Sequence, residues 1–240
     1  MYFNILMLSL ISFFTKIPMK GDLEKASKET FLLPLVALII ALPPAIFYYY
    51  FSFLPLLIRS LIGIFIIYVM TGLIHLDGLA DFSDGIMAKG SRERKIKALK
   101  DTNTGIAALF SVLMIILIEI ISLYSLKPST INIFEFFIIS ELSAKYSMIG
   151  GLLNKPSDEG LGALFQRNFK KYYLLISIVI TIPFYLIFKI YYFISFIGFL
   201  ISLILSILSK INFGMVNGDA LGAMNEISRG ITMVILCLVL

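Results

Sequence analysis

Three aspartates, Asp77, Asp81 and Asp84, fall within Gly72-Leu-Ile-His-Leu-Asp-Gly-Leu-Ala-Asp-Phe-Ser-Asp-Gly85, just where a long apolar run ends. On a helix Asp81 would lie about 40° from Asp77, and Asp84 about 20° to the other side, so all three share one face. The first and last would be about 10 Å apart along the axis. Three like charges side by side repel, so the cluster asks for a cation. A divalent ion held by one or two carboxylates, with positions left for phosphate oxygens, suits that reach. Gly78 and Gly85 each follow an acid directly and would let a bulky ligand or another helix approach the backbone. A solvated acidic helix end is the plainer alternative. Against it, the trio follows an apolar run immediately and stands in the most basic connection of the chain.

His75, the only histidine, is a candidate general base. A straight helix turns it about 120° from Asp81 and about 160–200° from Asp77, so it joins the acids only if the helix bends at Gly78. A hydrogen-bonded place in the protein interior is at least as compatible with this geometry. The basic run Lys89, Arg92, Arg94, Lys95, Lys97 and Lys100 suits an interfacial helix on anionic lipid, and one or two of its members could grip phosphates. Asp101-Thr102-Asn103-Thr104 can cap the next apolar helix, whose start at Gly105 is also a ready phosphate seat. Two glycine-rich connections follow, Lys155 to Gln166 and Asn217 to Glu226; the second sets Asp219 and Glu226 among small residues, as in backbone that lines a cavity. Glu119 and Glu141 fall within apolar spans, where ionisable groups are functional suspects, and Glu141 lies one turn from Lys145 and can pair with it.

The elements that must position these residues follow from composition. The chain has 240 residues, 59% hydrophobic, with mean hydropathy +0.97, which excludes a water-soluble domain of this size. Apolar segments at approximately 31–51, 54–76, 104–126, 131–150, 172–188 and 190–209, and a last one from near 230, are continuous and too long for barrel strands. The prediction is an all-α, polytopic helical integral membrane protein, residues 1–240 forming one membrane domain with about six to seven transmembrane helices arranged as hairpins. Pro43-Pro44 would kink or end the first span. Met1 to Phe14 is expected to be a retained short or interfacial helix, and lone Cys237 can form no intrachain disulfide.

The separators near Ser52, Lys127–Thr130 and Lys189 are short, whereas 15–30, 77–103, 151–171 and 210–229 are long and polar. With Lys145 added, the long connections hold 17 of the 20 basic residues, all but Arg59, Lys127 and Lys189. By the positive-inside rule the long connections are cytoplasmic.

Taken together, these residues resemble the cobalamin synthase family, the adenosylcobinamide-GDP ribazoletransferases of prokaryotes. The resemblance runs through Phe13-Phe-Thr-Lys-Ile-Pro18, His75-Leu-Asp-Gly-Leu-Ala-Asp-Phe-Ser-Asp-Gly85, Arg92-Glu-Arg94, Leu99-Lys-Asp101, Glu159-Gly-Leu-Gly162 and Gly218-Asp-Ala-Leu-Gly-Ala223, and so covers essentially the whole chain. Lys16 stands where the family usually has arginine, Lys145-Tyr146 where it has an Arg-Trp pair, Asn217 where it has threonine, and Glu119 where a basic residue is common.

The resemblance implies attack of a ribose hydroxyl of α-ribazole, or of its 5′-phosphate, on the cobinamide-side phosphorus of adenosylcobinamide-GDP, with GMP leaving. It also implies Mg²⁺ and a place in the prokaryotic cytoplasmic (inner) membrane with the active face cytoplasmic. On this reading Asp77, Asp81, Asp84 and Asp219 bind metal, and Asp84 or His75 serves catalysis. Lys100, Asp101, Arg92, Arg94 and Lys16 form the substrate- and phosphate-binding set. The partners expected are the two substrates and the lipid bilayer, with no nucleic acid and with homo-oligomerisation left open. A CDP-alcohol phosphotransferase is the nearest alternative, but Asp81 stands where its signature has arginine. A cation-coupled transporter would carry its acids at the bilayer midplane and not at a span's exit.

Overall fold

The computed structural model describes residues 3–126, 130–157 and 159–240, and among them every regular element is helical. The elements are α1 (Phe3–Phe14), α2 (Leu23–Lys28), α3 (Leu33–Tyr50), α4 (Leu56–Thr71), α5 (Ile74–Met87), α6 (Arg92–Leu99), α7 (Ile106–Ser125), α8 (Thr130–Leu152), α9 (Leu161–Asn168), α10 (Tyr172–Phe188), α11 (Ile197–Phe213) and α12 (Gly218–Val239), with 3₁₀ turns at Thr30–Leu32 and Lys189–Phe196. The expected short separator at 127–129 lies outside the described residues.

Four stretches are apolar and long enough to cross a membrane: Thr30–Tyr50, Ile106–Ser125, Tyr172–Phe213 and Gly218–Val239. The bent pair α4–α5 makes a fifth if its two halves form one broken span. The Tyr172–Phe213 stretch is 42 residues long, about 63 Å of helix against a hydrocarbon core of about 30 Å. It is interrupted at Lys189, which adopts a positive φ of 50°. Helix α8 carries Glu135, Glu141 and Lys145 and forms the buried axis of the bundle, packed against α3, α11 and α12. The outer helices are apolar toward their surroundings, with Leu57, Leu61, Phe65 and Val69 on α4 and Phe110, Leu113, Leu117 and Ile121 on α7 all exposed. That pattern fits lipid as the solvent.

Local expectations fail in three places, each for a physical reason. Of the kink or early end expected at Pro43-Pro44, the early end does not occur: α3 runs on to Tyr50, since membrane helices tolerate proline where neighbouring groups re-satisfy the freed carbonyls. The apolar run at 54–76 breaks instead at Gly72 and Leu73, both left-handed with φ of 64° and 65°, and α5 leaves α4 at 91°. Helix α5 therefore turns out of that span. The supposed loop at 210–229 is mostly helix, because α12 begins at Gly218. Its small residues are there for packing. A β-carbon on Gly222 would come within 3.0 Å of the His75 carbonyl, and one on Gly78 within 3.2 Å of the Asp219 backbone. Thus α5 and α12 touch backbone to backbone.

A buried ion network fills the space between α4, α7, α8 and α12. Arg229 donates to Glu119 (Nε to Oε1, 2.8 Å), to Glu141 (Nη1 to Oε1, 3.3 Å) and to Glu226, and its guanidinium lies 5.0 Å from the Tyr68 ring centre. The Tyr68 hydroxyl donates to Glu119 at 2.8 Å, and Lys145 reaches Glu141 at 3.4 Å and Asn225 at 2.7 Å. The expected Glu141–Lys145 pair is present, and Glu119 is the counter-ion of Arg229. Lys145 and Arg229, counted from sequence with the connection charges, are fully buried.

Candidate active site

The acidic face forms as the helical period predicts, because α5 spans Asp77, Asp81 and Asp84 without interruption. The Gly78–Gly222 contact then brings the start of α12 beside it, and with it Asp219. Asn217 caps α12 by accepting the Ala220 N–H at 3.0 Å, while its amide donates to Asp219 Oδ2 at 2.7 Å. Partial burial, then the charges of Asp219, Asp77 and Asp84, push the Asp81 carboxyl up from its ordinary 3.8 to about 6. Among the described residues, none of Asp77, Asp81 and Asp219 forms an ion pair with a lysine or arginine. Lys100, at the end of α6, lies within electrostatic reach of Asp219.

Asp84 does something different. Its two oxygens accept the backbone N–H groups of Gly105 at 2.6 Å and Ala108 at 2.9 Å, capping α7 from a distant element. The α7 N-terminus, expected to be capped by residues 101–104 and open to phosphate, is filled by this carboxylate. Asp101 instead closes its own turn onto Asn103, and these hydrogen bonds lower its carboxyl pKa. We expect Asp84→Ala to destabilise the protein by about 0.5–2 kcal/mol, the usual cost of a lost helix cap. Unfolding in detergent monitored by circular dichroism would measure it, and unchanged stability would show the cap to be dispensable.

A cavity of about 500 Å³ opens beside the acids, lined at its polar end by Asp77, Asp219, Asn217, Lys100 and Glu159. Its other end is aromatic and apolar, with Phe13, Phe14 and Phe165. His75 also lines it, buried against Phe14 at 5.6 Å between ring centres, and its Nε2 is buried without a hydrogen-bond partner. His75 thus reaches the same cavity as Asp77 although it leaves α5 in a different direction.

The remaining candidates fall elsewhere. The Lys16 side chain packs over Gly72 and borders a separate apolar groove. Arg92 lies against Gly214 in a basic cleft with Lys155 and Lys210, and Arg94 folds onto Gly90. Of the expected phosphate-binding set, Lys100 lines the acid-bearing cavity. The aromatic wall is not legible in the sequence: Phe13-Phe14 lie in the motif Phe13–Pro18 and Phe165 in the connection Lys155 to Gln166, and only the fold joins them.

Among the described residues, no three Asp, Glu, His or Cys side chains converge closely enough to enclose a metal ion. The donor set still suits an ion that keeps water or substrate oxygens in part of its shell: carboxylates from two helices lie within one another's field without a paired cation.

Residues 6–238 match the family model described as cobalamin-5-phosphate synthase. The adenosylcobinamide-GDP ribazoletransferase of Pyrococcus abyssi is 42% identical over 234 residues, covering 96% of this chain and 97% of the relative. That of Pyrococcus furiosus is 40% identical over 237 residues (96% and 98%), and that of Archaeoglobus fulgidus 33% over 224 residues (90% of each). No solved structure matches the chain.

Proposed function

Because the chain belongs to the cobalamin-5-phosphate synthase family, we propose that it joins a ribazole to the cobinamide phosphate of adenosylcobinamide-GDP and releases GMP. The observation that carries this reading at the site is the meeting of Asp219 with Asp77 and Asp81 beside a half-apolar cavity, built by the Gly78–Gly222 contact. One or two carboxylates from among Asp77, Asp81 and Asp219 would supply part of the shell of Mg²⁺, water and substrate oxygens the rest. When bound, that ion supplies charge neutralisation for the diphosphate and for the departing GMP.

The chain's own groups do the rest. Lys100, on the cavity rim, binds a phosphate oxygen of the diphosphate. The apolar walls exclude water, which would otherwise compete with the ribose hydroxyl for the same phosphorus. Asp84 holds α7 against the acidic helix. With one N–H donor on each of its oxygens, it is assigned here a positioning role. The lysines and arginines of the long connections support, by the positive-inside rule, a cytoplasmic position for this face, where nucleotide substrates are found.

Membranes bearing the protein, given adenosylcobinamide-GDP, α-ribazole and Mg²⁺, are expected to release GMP and form a cobalamin. A chelator should stop the reaction and added Mg²⁺ restore it. No product, with CDP-lipid and a lipid alcohol consumed instead, would overturn the reading in favour of a CDP-alcohol phosphotransferase. The relatives' names do not favour that alternative.

A further inference from the structure

From the aromatic end of the cavity we infer that it is the seat of the acceptor's heterocyclic base, with His75 Nε2 as its single polar reader. The inference rests on the proposed reaction, because it takes the aromatic riboside as one of the two substrates. Phe13 and Phe165 lie 4.9 Å apart at 32°, Phe13 and Phe14 meet edge to face at 4.8 Å, and Phe14 lies 5.6 Å from His75. Phe14, Phe165 and His75 are each no more than 4% exposed, so these walls are fixed by packing before any ligand arrives. Phe13 is the partly exposed ring of the three phenylalanines, and a flat aromatic group entering here gains apolar contact against it and the cluster behind it.

The polar inventory selects among aromatic groups. His75 Nε2 is buried and unpartnered, and leaving such an atom unsatisfied is costly unless a ligand pairs with it. A ribazole base has few polar atoms and can bring one ring nitrogen to it. Guanine carries donors and acceptors along a whole edge, and most would be stranded against phenylalanine. With the base among the phenylalanines, its ribose extends toward Asp77 and Asp219, where the reacting hydroxyl belongs. His75 then binds the acceptor and is not the base that deprotonates it.

Two variants test this, His75→Leu, which keeps bulk but removes the polar atom, and Phe165→Leu, which removes the ring packed against Phe13. Each is expected to raise the KM for α-ribazole about tenfold or more and to leave the KM for adenosylcobinamide-GDP unmoved, with His75→Gln recovering part of the loss. Calorimetry of α-ribazole binding to the purified full-length protein should show wild-type binding that guanosine does not displace and that both leucine variants weaken. A rise in the KM for adenosylcobinamide-GDP with that for α-ribazole unchanged would overturn the inference, as would displacement by guanosine. Should a variant fail to fold, the guanosine competition on wild-type protein still decides. Wild-type protein that binds α-ribazole in this way yet forms no cobalamin would sink the proposed function while leaving the base site standing.

Discussion

Replacing Asp81 by alanine is expected to lower GMP release by about 10²–10³-fold while the protein remains folded in the membrane. Asp81 is the acid on which the fields of Asp77, Asp84 and Asp219 all act. Its removal relieves repulsion in the free protein, so stability should not fall, and the loss should appear in turnover and in Mg²⁺ dependence. Wild-type turnover in this variant would remove Asp81 from the reaction. The raised carboxyl also fixes a pH dependence. An acid ionising near 6 in the folded chain and near 3.8 when unfolded costs the metal-free protein stability as pH rises through that window. A cation that binds the ionised form offsets this cost. Mg²⁺ should therefore raise the melting temperature more at pH 7 than at pH 5, and its apparent affinity should fall below about pH 6. A Mg²⁺ effect independent of pH over this range would separate Asp81 from the ion.

Replacing Arg229 by methionine should destabilise the fold by about 3–5 kcal/mol, the usual consequence of breaking a buried ion cluster from one side. Arg229 contacts three carboxylates, Glu119, Glu141 and Glu226, all buried, and Lys145 alone cannot compensate them. The triple variant Arg229→Met, Glu119→Gln, Glu226→Gln removes two of the stranded charges as well and should recover part of the loss. Denaturant titration in detergent micelles would measure both. Stability equal to the parent's in Arg229→Met would mean that these carboxylates shed their charge at little cost. The network joins α7, α8 and α12, and α12 carries Asp219, so weakening it is also expected to loosen the site.

Several of these features were legible in the sequence, and for a common reason. The acidic face of α5 depends only on the 3.6-residue period and three local spacings. The pairing of Glu141 with Lys145 depends on one turn of helix. The all-helical membrane class follows from continuous apolar runs, because a chain in lipid must satisfy its backbone within each segment. Motif resemblance reaches further, since it implies Asp219 beside the α5 acids, where the Gly78–Gly222 contact sets it.

Other features depend on partners far apart in the chain. Small residues at 218–223 read as a loop because glycine is common in loops; whether they instead let two backbones meet depends on what lies opposite. In sequence Asp84 reads as one of three equivalent acids, whereas the fold brings to it the N–H groups of Gly105 and Ala108, 21 and 24 residues away. Lys16 and Lys100 both looked like phosphate ligands, yet the fold turns one onto Gly72 and the other into the cavity. The sequence by itself determined the chemistry available here, a row of carboxylates at the end of an apolar run. The tertiary structure decided which of them stay open to a ligand, because that depends on which backbone N–H groups and which opposing helix each carboxylate meets.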